Sequence, residues 1–237
     1  MRAVAALMLM TAVVCAAGCT KLDGPNNGDD NNDVNLNGTG TYNGHDYVDL
    51  GLPSGTLWAT CNVGSESPEG FGDYFAWGET NIKTTYDWST YKWCQGDFDQ
   101  LTKYCNDTVI GYHNFIDTLT VLTLEDDAAA ANWGEGWCMP TVEQLQELIQ
   151  STTHVFKRLN GVDGRLFTGS NGNSIFLPDA GRYDGGNLYD QNTAAFYWSK
   201  SLDTRWSCRA WMLYMGSPIT QGIQRYRGQS IRPVRSN

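Results

Sequence analysis

Trp133-Gly134-Glu135-Gly136-Trp137-Cys138-Met139-Pro140-Thr141-Val142-Glu143-Gln144 is the stretch that decides the fold class. Thr141 and Gln144 have the spacing of a capping box. There the threonine oxygen takes the third helical N–H and the glutamine reaches back to the cap. Val142, Leu145, Leu148 and Ile149 then fall on one helical face, which should pack on a sheet. Glu143 and Glu147 should face water. On the other side, Gly134 stops an earlier helix. Thr123 is its expected N-cap, Glu125, Asp126 and Asp127 suit the positive helix end, and Ala128 to Ala131 propagate it.

Outward from these two helices the pattern is β. Tyr47-Val48-Asp49-Leu50 enters a turn at Gly51, Pro53, Ser54 and Gly55, and Leu57, Trp58, Ala59 and Val63 continue extended. Phe71 to Trp77 alternates and ends at Gly78, as a strand or loop edge does. Later candidates are Arg165-Leu166-Phe167, Ser174-Ile175-Phe176-Leu177, Ala195 to Ser199, Ala210 to Met215 and Ser230 to Val234, most of them separated by glycine-rich turns. The predicted class is α+β: two short helices, small antiparallel sheets and long loops. No solenoid repeat is visible.

The 237 residues carry a net charge of −10, and only 18% are charged. Trp, Tyr and Gly are plentiful, as in a loop-rich extracellular body. The acidic balance speaks against nucleic acid as a partner. Residues 1–18 read as a lipoprotein signal peptide: Arg2, an apolar run from Ala3 to Val14, then Ala16-Ala17-Gly18 before Cys19. Cys19 is the expected lipidation site, and it makes the membrane a partner through a lipid anchor. Residues 19–40 form an acidic, Asn- and Gly-rich tether too polar to fold. Asp29, Asn31 and Asp33 begin like a calcium loop, but Val34 and Gly40 stand where glycine and glutamate are needed. The folded part is expected over residues 41–237. Of the cysteines beyond Cys19, Cys61, Cys94, Cys105, Cys138 and Cys208 are odd in number. Cys94 and Cys105 are near enough to close a loop, and Cys61 and Cys138 read as small buried residues.

Val48 to Thr60, Gly72 to Glu79, Trp133 to Thr141 and Ser230-Ile231-Arg232-Pro233-Val234-Arg235 together resemble the Fibrobacter succinogenes major paralogous domain. Members are mostly secreted or lipid-anchored proteins of Bacteroidetes and related bacteria. The helix start at Met139-Pro140-Thr141 and the closing Arg-Pro-Val-Arg also resemble formylglycine-generating enzymes. Both resemblances imply a C-type-lectin-like fold with a long loop region over a small central sheet. They also imply an outer-membrane lipoprotein exposed at the cell surface. The acidic tether resembles the export signals of such lipoproteins, or is a solvated spacer. Enzymes of the second group use cysteines late in the chain, where only Cys208 stands here, so no enzymatic activity is expected. In the family the position of Cys138 is often Arg, which implies no bridge there. The sugar-binding triplets of calcium-dependent lectins are missing, so no metal and no cofactor are expected.

Catalytic constellations are poor. His45, His113 and His154 are widely spaced, and no nucleophile elbow or phosphate loop occurs. Arg232 and Arg235 are candidates for buried ion pairs. Tyr86-Asp87-Trp88-Ser89-Thr90-Tyr91-Lys92-Trp93 either stacks on sugar or packs in the core, and a similar family run favours packing. Asp107-Thr108-Val109 and Asp117-Thr118-Leu119 resemble the Bacteroidetes O-glycosylation triplet. What remains is the loop surface between Gly181 and Gly228. Its Tyr189, Asp190, Asn192, Arg205, Trp206, Arg209, Gln224 and Tyr226 are the residue types that make contact area and directed hydrogen bonds. They are the expected ligand-binding face, for a glycan or a protein. In lectin-fold proteins diversified by retroelements the variable residues sit on the matching segment. The alternatives are an ordinary polar loop surface, a structural or fimbrial envelope subunit, and a diverged formylglycine-generating-type oxidase.

Overall fold

The computed structural model describes residues 35–236. The expected signal peptide, the expected lipidation site Cys19, the Asp29–Asp33 acids and most of the expected 19–40 tether lie outside these residues.

The chain enters through β1 (Gly40–Tyr42), turns at Asn43-Gly44 and returns as β2 (His45–Asp49). Both turn residues have positive φ, the two-residue geometry that Asn-Gly accepts and whose twist suits a hairpin. β3 (Leu57–Ala59) pairs with β2, and the closing β12 (Val234–Arg235) pairs with β3, so the order is β1-β2-β3-β12, all antiparallel. Among the described residues no strand of regular length forms between Thr60 and Thr123. The stretch Phe71 to Trp77, expected as a strand or loop edge, makes one bridge, Phe75 to Gln229, in an otherwise irregular path.

The first expected helix is shorter and differently capped. Leu124–Asp126 form a single 3-10 turn, and Thr123 makes no side-chain cap bond. The α-helix α1 (Ala128–Trp133) is capped instead by Asp127, whose carboxylate accepts from the N–H groups of Ala129 and Ala130. A carboxylate takes two donors at once and sits closer to the alanine run than Thr123 does. Asp126 is buried and ion-paired to Lys103 at 2.6 Å. The second helix, α2 (Val142–Ser151), has both halves of the Thr141/Gln144 capping box. Val142, Leu145 and Leu148 are buried. Glu147 does not simply face water. It accepts from Ser54 N at 2.8 Å and from Ser54 Oγ, fastening the turn between β2 and β3.

β4 (Thr153–Leu159), β5 (Val162–Thr168) and β6 (Ser174–Pro178) form a second antiparallel sheet. β7 (Arg182–Asp184) and β8 (Asn187–Tyr189) make a small hairpin. β9 (Phe196–Leu202), β10 (Arg209–Tyr214) and β11 (Ile219–Gln224) form a third sheet, order β11-β10-β9. Most of β9 is buried, because this sheet is covered on both faces. Tyr197 and Leu213 pack with Leu145 and Leu148 of α2 and with Trp58. Phe196, Trp198 and Met212 pack on the other side with Phe75, Trp77, Trp133 and Trp137. Two of the indole N–H groups find buried acceptors, Trp77 on Ser199 O at 2.8 Å and Trp198 on Phe75 O at 2.9 Å, whereas that of Trp58 has none among the described residues. Buried Trp rings are held this way because an unpaired N–H is costly. The expected strand at Ser230–Val234 reduces to β12 and a bridge from Ser230 to Tyr197.

Arg232 makes no ion pair among the described residues. It is fully buried and donates to Asn62 and to the carbonyls of Ala59, Thr60 and Phe176. The Arg235 guanidinium instead lies 4.0 Å from the centre of the Tyr42 ring. The Tyr86–Trp93 run packs: Tyr86 and Tyr91 are buried, with Trp88 and Trp93 against the same aromatic cluster.

Candidate functional site

The structure divides the eight predicted face residues. Tyr189 ends β8 and Asp190 and Asn192 stand on the loop after it, at the Phe196 end of the β9–β10 hairpin. Arg205, Trp206 and Arg209 stand at its Leu202 end, a strand length of roughly 20 Å away. Tyr226 does not join either group. Its ring packs edge-on to Trp88, and its hydroxyl donates to Asp184, so it belongs to the aromatic core. Gln224 is half-buried at the end of β11, opposite Arg209. Gln224 ends the strand and Tyr226 lies in the turn after it, where the Trp88 contact draws its ring inward, a choice that polar composition alone does not encode.

At the Leu202 end the turn is rigid. Asp203 is buried and takes the Arg205 guanidinium through both oxygens, at 2.9 and 3.0 Å. Backbone bonds from Trp206 N to Asp203 O (3.0 Å) and from Arg209 N to Trp206 O (2.7 Å) close it. Arg205 is thereby committed within the protein, its guanidinium 4.8 Å from the Trp211 ring. Trp206 is 61% exposed at the tip.

At the Phe196 end the turns bound a cleft of about 440 Å³. Its floor is Phe196, Met212, Tyr214 and Ile223, at the margin of the sheet face that packs on Phe75 and Trp77, and its walls carry Arg182, Asp190, Thr193, Gln221 and Arg227. Arg182 is ion-paired to Asp190 and lies 4.4 Å over the Phe196 ring. Arg227 pairs with Asp184 at 2.9 Å. The 190–194 loop is fixed by bonds from Thr193 N and Ala194 N to Asp190 O and from Asn192 N to Asp179 O. Gly181 lies beneath it at φ +70, and a Cβ there would meet Tyr189 O at 2.2 Å, so only glycine lets the two segments approach. Of the predicted residues only Asp190 lines this cleft. Arg182 and Arg227, 45 positions apart, carry no local signal that joins them.

A smaller pocket of about 270 Å³ gathers His45, Asp46, Cys61 and Glu66 around Trp133. Sequence spacing did not bring these together; the β2–β3 pairing does. The His45 ring lies flat on Trp133, centroids 3.7 Å apart at 4°. Burial lowers its pKa below 6.5, with Asp46 acting the other way. The folded state therefore binds protons less readily than the unfolded one. The stability that the neutral ring supplies is present above pH 6.5 and is lost as pH falls through the folded value. Thermal unfolding of the wild type should weaken between pH 7 and pH 5, and His45→Phe should flatten that slope. Equal slopes in both proteins would show that His45 does not carry it. Among the described residues no group of three or more His, Cys, Asp or Glu is placed to hold a metal ion.

All five described cysteines are free, Cys94 and Cys105 included. Each of those two donates to a carbonyl, of Trp88 and Asp107 respectively. Cys61 and Cys138 are half-buried rather than fully enclosed. Burial pushes the thiols of Cys94, Cys105, Cys138 and Cys208 above their ordinary pKa, the opposite of what a reactive thiolate needs. No helix among the described residues is long and apolar enough to cross a membrane. Neither a protein-family model, nor a curated protein, nor a solved structure matches the chain.

Proposed function

We propose that this is a non-enzymatic cell-surface lipoprotein of the outer membrane. In this reading Cys19 is lipidated, the 19–40 segment is a tether, and the turns around the β9–β11 sheet bind a glycan or a protein. The observation that carries it is Trp206, a large ring held out on a rigid turn with no packing role of its own. Tryptophans displayed on pre-ordered turns supply much of the energy of binding surfaces. The free, burial-raised thiols support the non-enzymatic part.

The C-type-lectin-like fold and kinship with the Fibrobacter succinogenes major paralogous domain belong to the same proposal. They are supported by two short helices, by small antiparallel sheets, and by a long irregular stretch between β3 and α1. The first and last strands also close on one another.

Trp206→Ala should leave the melting temperature within about 1–2 °C, since the ring is exposed, and should weaken ligand binding about thirtyfold or more. Intact cells displaying each form, probed on glycan and envelope-protein arrays, give the measurement. Undiminished binding by the variant would remove this turn from the face.

A second reading, a structural envelope subunit, is favoured by one observation. β4 is an edge strand with Val155 and Phe156 exposed on its opposite faces, the kind of apolar edge that pairs with another chain. Envelope purification separates the two, because a fixed stoichiometric complex marks the subunit and a free lipoprotein marks the binder.

A further inference from the structure

We infer that the cleft between the 190–194 loop and the β9–β11 sheet is a subsite for a neutral sugar ring, bound without a metal. This rests on the binding-protein reading above and deepens it by naming the ligand class and the residues that choose it.

The charges of the cleft decide between ligand classes. Arg182 is matched by Asp190 and Arg227 by Asp184. Two guanidinium groups and two carboxylates leave no net field to draw an anion, in a chain that already carries −10. A uronic or sialic acid would have to displace Asp190 from Arg182 before using that guanidinium. A neutral sugar needs no such exchange. Its hydroxyls both donate and accept, and the Asp190–Arg182 pair sets a fixed acceptor beside a fixed donor. Thr193 and Gln221 add groups that can do either.

The floor supplies what a sugar ring needs on its other side. Tyr214 and Ile223, both partly exposed, give it an apolar surface, with Phe196 and Met212 buried beneath. A pyranose has an apolar C–H face that covers such a surface while its hydroxyl edge meets the walls. A volume of about 440 Å³ is in the range of small-ligand sites and holds one ring with room for a linked neighbour. A peptide is the competing ligand, because the cleft is open on one side and includes Gln221 and Ile223 of β11, the edge strand of its sheet, and it forms the protein arm of the test.

The test is calorimetric titration of the full-length protein with free hexoses and N-acetylhexosamines, with glucuronate as the acidic arm and a mixed peptide pool as the protein arm. A neutral sugar should bind, glucuronate about tenfold or more weakly, and the peptides not at all. Asp190→Asn and Tyr214→Ala should each weaken the sugar about tenfold to a hundredfold, with circular dichroism unchanged. Gln221→Leu, a half-exposed replacement, serves as the second probe should Tyr214→Ala unfold. Tighter binding of glucuronate than of any neutral sugar overturns the inference. So does a ligand lost in Trp206→Ala but indifferent to Asp190→Asn and Gln221→Leu, and in that case the binding-protein reading stands. A protein that binds no sugar and no partner on the glycan and protein arrays overturns both.

Discussion

Arg232→Ala is expected to remove about 3–5 kcal/mol of folding stability, a large share of what a domain of this size has. The side chain is enclosed and is met by an amide and three carbonyls rather than by a carboxylate. Nε donates to Asn62 Oδ1 at 2.9 Å, Nη1 to Thr60 O at 2.8 Å and Ala59 O at 3.2 Å, and Nη2 to Phe176 O at 2.9 Å. These acceptors come from the end of β3, the segment after it, and β6. One guanidinium thus ties the terminal sheet to the second sheet. Burial lowers its pKa, but guanidinium keeps its proton, so the charge has to be solvated by these fixed dipoles. Truncation leaves several buried acceptors without donors and opens a cavity. Arg232→Lys should cost nearly as much, because a point charge cannot reproduce the planar fork. Urea unfolding followed by tryptophan fluorescence measures both. A loss below about 1 kcal/mol for the alanine variant would mean that the enclosure of Arg232 is wrong.

Asp127→Ala comes next, at about 2–4 kcal/mol, the sum of a lost helix cap and an orphaned buried N–H. The carboxylate is 1% exposed and accepts from Ala129 N, Ala130 N and Met139 N, all within 3.1 Å. It therefore fixes α1 to the chain that leads into α2. Burial raises its pKa above the usual carboxylate range, while the N–H bonds and Lys200 pull it back. Asp127→Asn retains one acceptor oxygen for the cap and should lose about half as much as the alanine variant. Thermal melts of the three proteins at one pH order them. An asparagine variant as weak as the alanine one would show that the charge, and not the hydrogen-bond acceptor, holds the helix.

The same aspartate shows where the sequence was ambiguous. Thr123 and Asp127 are both good cap residues before an alanine run, and only burial of the carboxylate chooses the second. α2 was legible because its cap signal is reciprocal and its apolar spacing is regular. The β-hairpins of β1–β2 and β4–β5 turn on Asn43-Gly44 and Asn160-Gly161, a dipeptide signal that marks both and was open to reading. The Gly181–Gly228 stretch, read as a loop surface, in fact carries strands β7 to β11 with short turns between them, and it was not legible as a site. Its residues divide between two ends of a hairpin, and Tyr226 turns into the core. Arg182 and Arg227 meet across a cleft only because β7 and the end of β11 are brought together by long-range pairing, including Tyr183 with Gly228. No spacing rule carries that. Glu147 was misread for the same reason: its partner Ser54 is 93 positions away.

The sheet that contains both β1 and β12 has a practical corollary. Gly40 and Arg235 lie three strand spacings apart, roughly 15 Å, a gap that about five extended residues bridge. The module is thus a bead closed by a clasp: it can be spliced into the loop of a host protein, or its two ends can be stitched together and the chain reopened elsewhere, without stretching either partner. A reporter placed behind Arg235 would depart beside the point where the chain enters β1.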